Sequence, residues 1–280
     1  MIMLLKNFIN WDNPGTAFIT GASSGIGEAF AKALANQRFN LVLIARRKEK
    51  LEEFKSELEK NEAIKVQILD ADLSKMDDIE RLYSYISNIA DLDVLINNAG
   101  FGTRGNFANV PFDSQRDMLF VHNVAPVYFC KAALQIMMRR GRGAIINVAS
   151  IAAIVQLPQN VMYNATKTFL KVFTETLNIE LENTGIKTQC LCPGLTRTEF
   201  HQVGDFKEFD SSLITESAWM SAEEVVKLSL DKFSEVAQDE VVFIPGEHNQ
   251  TLAKLWSDPK LGERTRKNMI KMGKIPIKRK

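Results

Sequence analysis

Cysteine, histidine and tryptophan are scarce, with three of each in 280 residues. Cys130, Cys190 and Cys192 are odd in number and lie in apolar surroundings, which fits a reducing compartment rather than a disulfide-stapled scaffold, so a cytoplasmic protein is expected. Cys190-Leu191-Cys192 has no second Cys or His pair to complete a zinc site, because the only histidines are His122, His201 and His248; no metal is expected. Missing as well is any apolar stretch near the ~18 residues needed to span a bilayer. The opening Met1-Ile2-Met3-Leu4-Leu5-Lys6 is too short for a signal-sequence core. Net charge is almost absent at +1, and no nucleic-acid partner is expected. The charge is unevenly spread, however. The last thirty residues carry ten cations and two acids, +8 against −7 for the rest, so a basic tail is expected to be solvated, to dock on the protein or a neighbouring subunit, or to meet an anionic surface.

What is present suits a folded enzyme-sized domain. Hydrophobic residues make up 45% and charged residues 25%, and the length accommodates one large α/β core. Short apolar runs alternate with segments of helical period, the pattern of a parallel sheet with helices on both faces. The expected strands are residues 16–19, 41–44, 66–69, 94–97, 144–148, 188–191 and 241–244. Leu51, Phe54 and Leu58, then Leu170, Phe173, Leu177 and Leu181, mark core-facing helix stripes. The reading is a Rossmann-type, doubly wound, seven-stranded parallel sheet in a three-layer αβα sandwich. It spans 15–247, after an extension at 1–14 and before a basic helical extension at 248–280. One long non-periodic stretch, 195–220, is expected to serve the site. Ser221-Ala222-Glu223-Glu224 after it reads as a capping box.

Tyr163 and Lys167 stand four residues apart, which on a helix places phenol and ammonium on one face. A free tyrosine titrates near ~10, and a neighbouring positive charge lowers it toward a range useful for proton exchange. Alone the pair is weak, since a half-buried Tyr and a solvated Lys recur in many helices. Thr20-Gly21-Ala22-Ser23-Ser24-Gly25-Ile26-Gly27, between a strand and a helix, adds a second element: glycines that allow a tight turn and let backbone N–H groups and a helix N-terminus approach a pyrophosphate.

The G-x-x-x-G-x-G spacing together with Tyr163-x-x-x-Lys167 resembles the short-chain dehydrogenase/reductase family in its single-domain form. The resemblance runs from about Gly15 to Gly246. It implies that Asn97-Asn98-Ala99-Gly100 steadies the central strand and borders the adenine ribose. Asp72-Leu73 is implied to contact adenine, and Pro193-Gly194 with Thr196 and Thr198 to touch the nicotinamide carboxamide. Gly21, Ser23, Ser24, Gly25, Ile26 and Gly27 form the expected phosphate cradle. At the end of the second strand, where an acidic residue would select NAD, stand Arg46 and Arg47. Arg46 is expected to pair with a 2′-phosphate and stack on adenine, so NADP(H) is the expected cofactor.

Ser150, thirteen residues before Tyr163 at the end of the fifth strand, and Asn123 complete a catalytic tetrad by resemblance. Ser150 is expected to hydrogen-bond the developing oxyanion while Tyr163 delivers the proton. Lys167 is expected to depress the Tyr163 pKa and, by resemblance, to hold the nicotinamide ribose; Asn123 is implied to place a water that relays protons. Apolar residues, namely Phe101, 151–155, Leu157, Leu195, Phe200, Phe206, Phe209 and Trp219, suggest a hydrophobic ketone or aldehyde substrate. The second-strand end and residues 49–60 look most like the branch holding hydroxysteroid dehydrogenases and 3-oxoacyl reductases. The family resemblance implies a homodimer or homotetramer. A non-catalytic, NADP(H)-sensing regulator is the alternative.

Overall fold

The computed structural model describes residues 11–61, 64–156, 158–202, 215–234 and 240–271. Period-two alternation builds its centre. In β1 (Thr16–Thr20) and β2 (Asn40–Ala45), Ala17, Ile19, Leu41 and Leu43 join one core while Phe18, Val42 and Ile44 join the other. Both sheet faces are therefore apolar, as a parallel sheet covered on two sides requires.

Helices α1 (Gly25–Ala35) and α2 (Lys48–Asn61) cover the first face, α2 through Leu51, Phe54 and Leu58. After β3 (Val66–Asp70), α3 (Met76–Ser87) packs on the second face through Ile79, Leu82 and Ile86. Next come β4 (Leu92–Asn97), α4 (Phe112–Leu119), a π-helical segment Phe120–Val124, and α5 (Ala125–Arg140). β5 (Gly143–Val148), α6 (Val161–Glu180) and β6 (Ile186–Leu191) follow. Fully buried Phe18 and Phe129 meet edge to face at 5.8 Å between sheet and α5; burying a side chain of that size contributes about 3 kcal/mol.

The chain then forms a small parallel pair, β7 (Thr196–Arg197) with β8 (Met220–Ser221), before α7 (Ala222–Ser234), whose Val225, Val226, Leu230 and Phe233 close the first face. Ser221 Oγ accepts from Glu224 N at 3.0 Å, the side-chain cap that the sequence promised there. β9 (Val242–Phe243), α8 (Glu247–Ser257) and α9 (Pro259–Lys271) are the last of the described elements.

The seven-stranded sheet has the order β3-β2-β1-β4-β5-β6-β9, all parallel. Connections leave β1 toward β2 on one side and reach β4 on the other, so the carboxyl ends of β1 and β4 border the crevice where open α/β sheets bind ligands. The stretch from 195 to 220 is partly regular: besides β7 and β8 it holds 3-10 turns at Glu199–Gln202 and Glu216–Ala218, with 203–214 outside the described residues.

Candidate active site

Thr20, buried at the end of β1, organises the glycine turn. Its Oγ1 accepts from the backbone N–H of Asn98 and of Ala99, both at 3.0 Å, and Asn98 Nδ2 donates to the carbonyls of Thr20 (2.9 Å) and Gly21 (3.2 Å). The N-N-A-G turn after β4 thus locks the turn after β1 across the switch point. Gly21 and Gly25 take φ of 68° and 60°, the left-handed region open to glycine, and a Cβ on Gly27 would stand 2.3 Å from the Gly21 carbonyl. Ser24 occupies the N-cap position of α1 without making a side-chain cap; its hydroxyl instead accepts from Arg47 Nη2 at 3.0 Å. Backbone this bare, ahead of an eleven-residue helix, fits a pyrophosphate.

Around it the expected adenine-side residues separate. Arg47 reaches back onto the turn, with Nε and Nη2 on Ser23 Oγ at 3.2 and 2.9 Å, while Arg46 is exposed and makes no hydrogen bond or ion pair among the described residues. Asp72 turns its Oδ1 onto Ser74 N and Oγ, at 3.1 and 2.9 Å, an Asx turn ahead of α3, and Leu73 is core. Gly194 is overlain by α8, since a Cβ there would meet Asn249 Oδ1 at 2.1 Å. Thr196 Oγ1 donates to the Gly194 carbonyl at 3.1 Å, and Thr198 packs against Gly25.

The four residues of the expected tetrad converge at the carboxyl end of β5. Ser150 sits just beyond that strand, its Oγ accepting from Ala152 N at 3.1 Å and hydrogen-bonded to the Tyr163 hydroxyl. Pro193 joins the same corner, its carbonyl accepting from Ile151 N at 2.9 Å. One turn along α6 from Tyr163, buried Lys167 places Nζ 5.8 Å from the phenol ring centroid and donates to the Val148 carbonyl at 2.9 Å. Asn123 lies in the π-helical segment, where its Nδ2 donates to the carbonyls of His122 (3.0 Å) and Thr166 (2.9 Å), tying the segment to α6. Single π turns inside α-helices recur at functional sites.

The electrostatics differ from expectation at one point. Burial, opposed by the Ser150 hydrogen bond, pushes the Tyr163 phenol up to about 12 although part of its surface stays exposed, and burial brings Lys167 down to about 8. The expected depression of the phenol by Lys167 is therefore overridden. The ammonium is drawn to the Val148 carbonyl, and the dense surroundings penalise the phenolate.

His122 was not singled out by the sequence and is central in space. Its Nε2 accepts from Phe101 N at 3.1 Å, which leaves the proton on Nδ1 to meet Thr166 Oγ1 at 2.9 Å; its ring lies 5.7 Å from that of Tyr163. Burial and nearby Lys167 keep it neutral well below its usual range. Phe200 stands 6.0 Å from Tyr163 on the other side. Of the expected apolar wall, Phe200 packs beside the phenol, Phe101 packs on the His122 ring 5.8 Å away, Val155 is core, and Leu157, Phe206 and Phe209 lie outside the described residues.

Residues 15–206 match the profile described as short chain dehydrogenase. The chain belongs to the short-chain dehydrogenase family. An uncharacterized oxidoreductase of Staphylococcus epidermidis is 32% identical over 193 residues, covering 69% of this chain and 82% of the relative. A short-chain dehydrogenase from Sphingobium yanoikuyae, solved in complex with NADPH, superposes with a TM-score of 0.76 at 26% identity over 96% of this chain and 98% of that one. An alcohol dehydrogenase from Comamonas testosteroni, described as specific for bulky-bulky ketones, matches with a TM-score of 0.72 at 26% identity over the same shares. This short-chain dehydrogenase is accordingly an oxidoreductase with the family's Rossmann-like sheet.

Proposed function

We propose that this oxidoreductase uses NADPH to reduce a hydrophobic ketone or aldehyde to the alcohol, with Tyr163 as proton donor. The observation that carries the reading is the cluster of partly exposed Ser150 and Tyr163 with buried Lys167 at the carboxyl end of β5. When bound, the nicotinamide supplies the hydride that reduces the carbonyl carbon. Ser150 then donates a hydrogen bond to the oxygen on which negative charge grows, and Tyr163 passes its proton to that oxygen. A phenol held up near 12 is protonated at neutral pH, the form that reduction requires. Lys167, Nζ beside the ring, stabilises the phenolate left behind. Asn123, fixed between His122 and Thr166, is placed to order a water for reprotonation.

Arg47 with Ser23 and Ser24 supports the choice of NADP(H): a guanidinium and two hydroxyls meet where the adenine-ribose phosphate belongs, and no carboxylate terminates β2 to repel it. Phe101 and Phe200 support an apolar substrate, as does likeness to the bulky-ketone enzyme; membership of the hydroxysteroid and 3-oxoacyl branch is the narrower form of this proposal. Three free, buried cysteines support a reducing, cytoplasmic setting.

An NADPH-consumption screen over aldehydes, ketones, quinones and 3-oxoacyl thioesters identifies the substrate. With the best of these, Tyr163→Phe is expected to keep NADPH affinity and lose turnover by roughly 10²- to 10⁴-fold. Near-normal turnover in that variant rules the mechanism out. Tight NADPH binding with no consumption across the whole panel favours the regulatory alternative.

A further inference from the structure

Arg47 and Lys50 are already holding an anion. The carboxylate of Glu199, which follows β7 far along the chain, accepts from Arg47 Nη1 at 2.6 Å through Oε2 and from Lys50 Nζ at 2.7 Å through Oε1. Arg47 uses its remaining nitrogens on Ser23 and Ser24 of the glycine turn. One carboxylate, two cations and two hydroxyls therefore share one corner of the cofactor crevice. Their donor set of guanidinium, ammonium and serine hydroxyls is what a phosphate monoester takes. Glu199 is delivered there by a fixed neighbour, because Thr198 packs on Gly25 and a 3-10 turn begins at Glu199 itself.

We propose that Glu199 is a built-in competitor of the cofactor's 2′-phosphate, occupying the Arg47–Lys50 seat until that group displaces it. The inference rests on the NADP(H) reading above. All three side chains are about two-fifths exposed, at 43%, 45% and 39% for Arg47, Lys50 and Glu199. Ion pairs this wet hold weakly, and a phosphate carrying up to two charges outbids a single carboxylate for the same cations. Arg47 and Lys50 hold Glu199 ionised down to about 2, so the competition is present at every physiological pH. NADH, with a hydroxyl where NADPH has the phosphate, leaves the Glu199 pairs in place. Glu199 thus lowers the margin by which NADPH is preferred.

The test is equilibrium binding of NADPH and NADH, followed by calorimetry or tryptophan quenching, to the wild type, Glu199→Gln and Glu199→Ala. The expected result is a NADPH Kd lower by roughly three- to tenfold in both variants, the yield of two exposed ion pairs, with the NADH Kd unchanged. Glu199→Asp keeps the charge but shortens its reach across two cations. It is expected to show a smaller gain, and it guards against a variant that fails to fold. A NADPH Kd that stays the same or rises in all three variants overturns the proposal, while an intact wild-type preference for NADPH leaves the cofactor assignment standing. A wild type that binds NADPH no better than NADH overturns the cofactor assignment and the competitor role with it.

Discussion

At Lys167 function and stability pull against each other. Burial brings its pKa from 10.5 to about 8, so the folded protein gives up this proton more readily than the unfolded chain. The sign follows: between about 8 and 10.5 the unfolded chain binds the extra proton, so unfolding free energy rises with pH across that window. Below about 8 the whole cost of burying the charge is present, about 3 kcal/mol at ~1.4 kcal/mol for each unit. Lys167→Met is therefore expected to unfold at higher denaturant than the wild type at pH 7, with the advantage vanishing toward pH 10.5. The activity runs the other way, because the charge supports the phenolate. For the wild type, kcat/KM for carbonyl reduction is expected to fall as pH rises through about 8, and Lys167→Met to lose both that break and most turnover. A wild-type profile flat to pH 9.5 contradicts the role given to the ammonium. None of this was legible from spacing, which put Tyr163 and Lys167 on one helical face but not the density of packing around them. His122 was invisible for a related reason, since its neighbours Phe101 and Thr166 come from separate elements.

At the level of elements, all seven expected strands fell within one or two residues of those observed, because strands buried on both faces read as apolar runs bounded by turns. β9 is shorter than expected, with only Cys190 and Leu191 of β6 to pair with. The π-helical turn carrying Asn123 has no period of its own, so the sequence gives no warning of it. Composition leaves the choice between solvated and docked open at the C-terminus. The basic segment reads as a helical extension, either solvated or docked, and α8 buries Asn249, Ala253 and Trp256. Trp256 Nε1 donates to Gln156 Oε1 at 3.1 Å, on the segment following Ser150, and Asn249 Nδ2 donates to the Pro245 carbonyl at 2.8 Å while its side chain covers Gly194. Helix α8 therefore acts as a brace on two loops of the site. Trp256→Ala is expected to cost about 3 kcal/mol in denaturant unfolding, as for other large buried aromatics, and to raise KM more than it lowers kcat, because the brace positions loops without touching the reacting atoms. An unchanged unfolding midpoint removes α8 from the supporting structure.

For the whole molecule, the informative surface is the outer face of α6. Its core side carries Lys167, Leu170, Thr174 and Leu177, and its outer side keeps Val161, Phe169, Val172 and Ile179 exposed, the last at 72%. At ~100° per residue these four fall within about 80° of one another, a continuous apolar stripe rather than scattered surface residues. Phe169 stacks on Phe173 at 6.2 Å with rings almost parallel, which flattens that part of the stripe. Phe112 of α4 and Met138 of α5 are exposed as well. A second copy of the chain is the expected occupant, because a stripe on one helix meets its own image across a two-fold axis with matching length and chemistry. All four candidate catalytic residues stand on one chain, so association is expected to stiffen α6 rather than to complete the site. Sedimentation velocity is expected to show a dimer or tetramer for the wild type. Val172→Asp, which sets like charges close together across the axis at the middle of the stripe, is expected to shift it to monomer, with NADPH binding retained and stability lowered. A wild type that sediments as monomer at micromolar concentration leaves the stripe without this occupant. A variant that stays oligomeric moves the interface to another face, because a buried carboxylate pair at the centre of the stripe is too costly to tolerate.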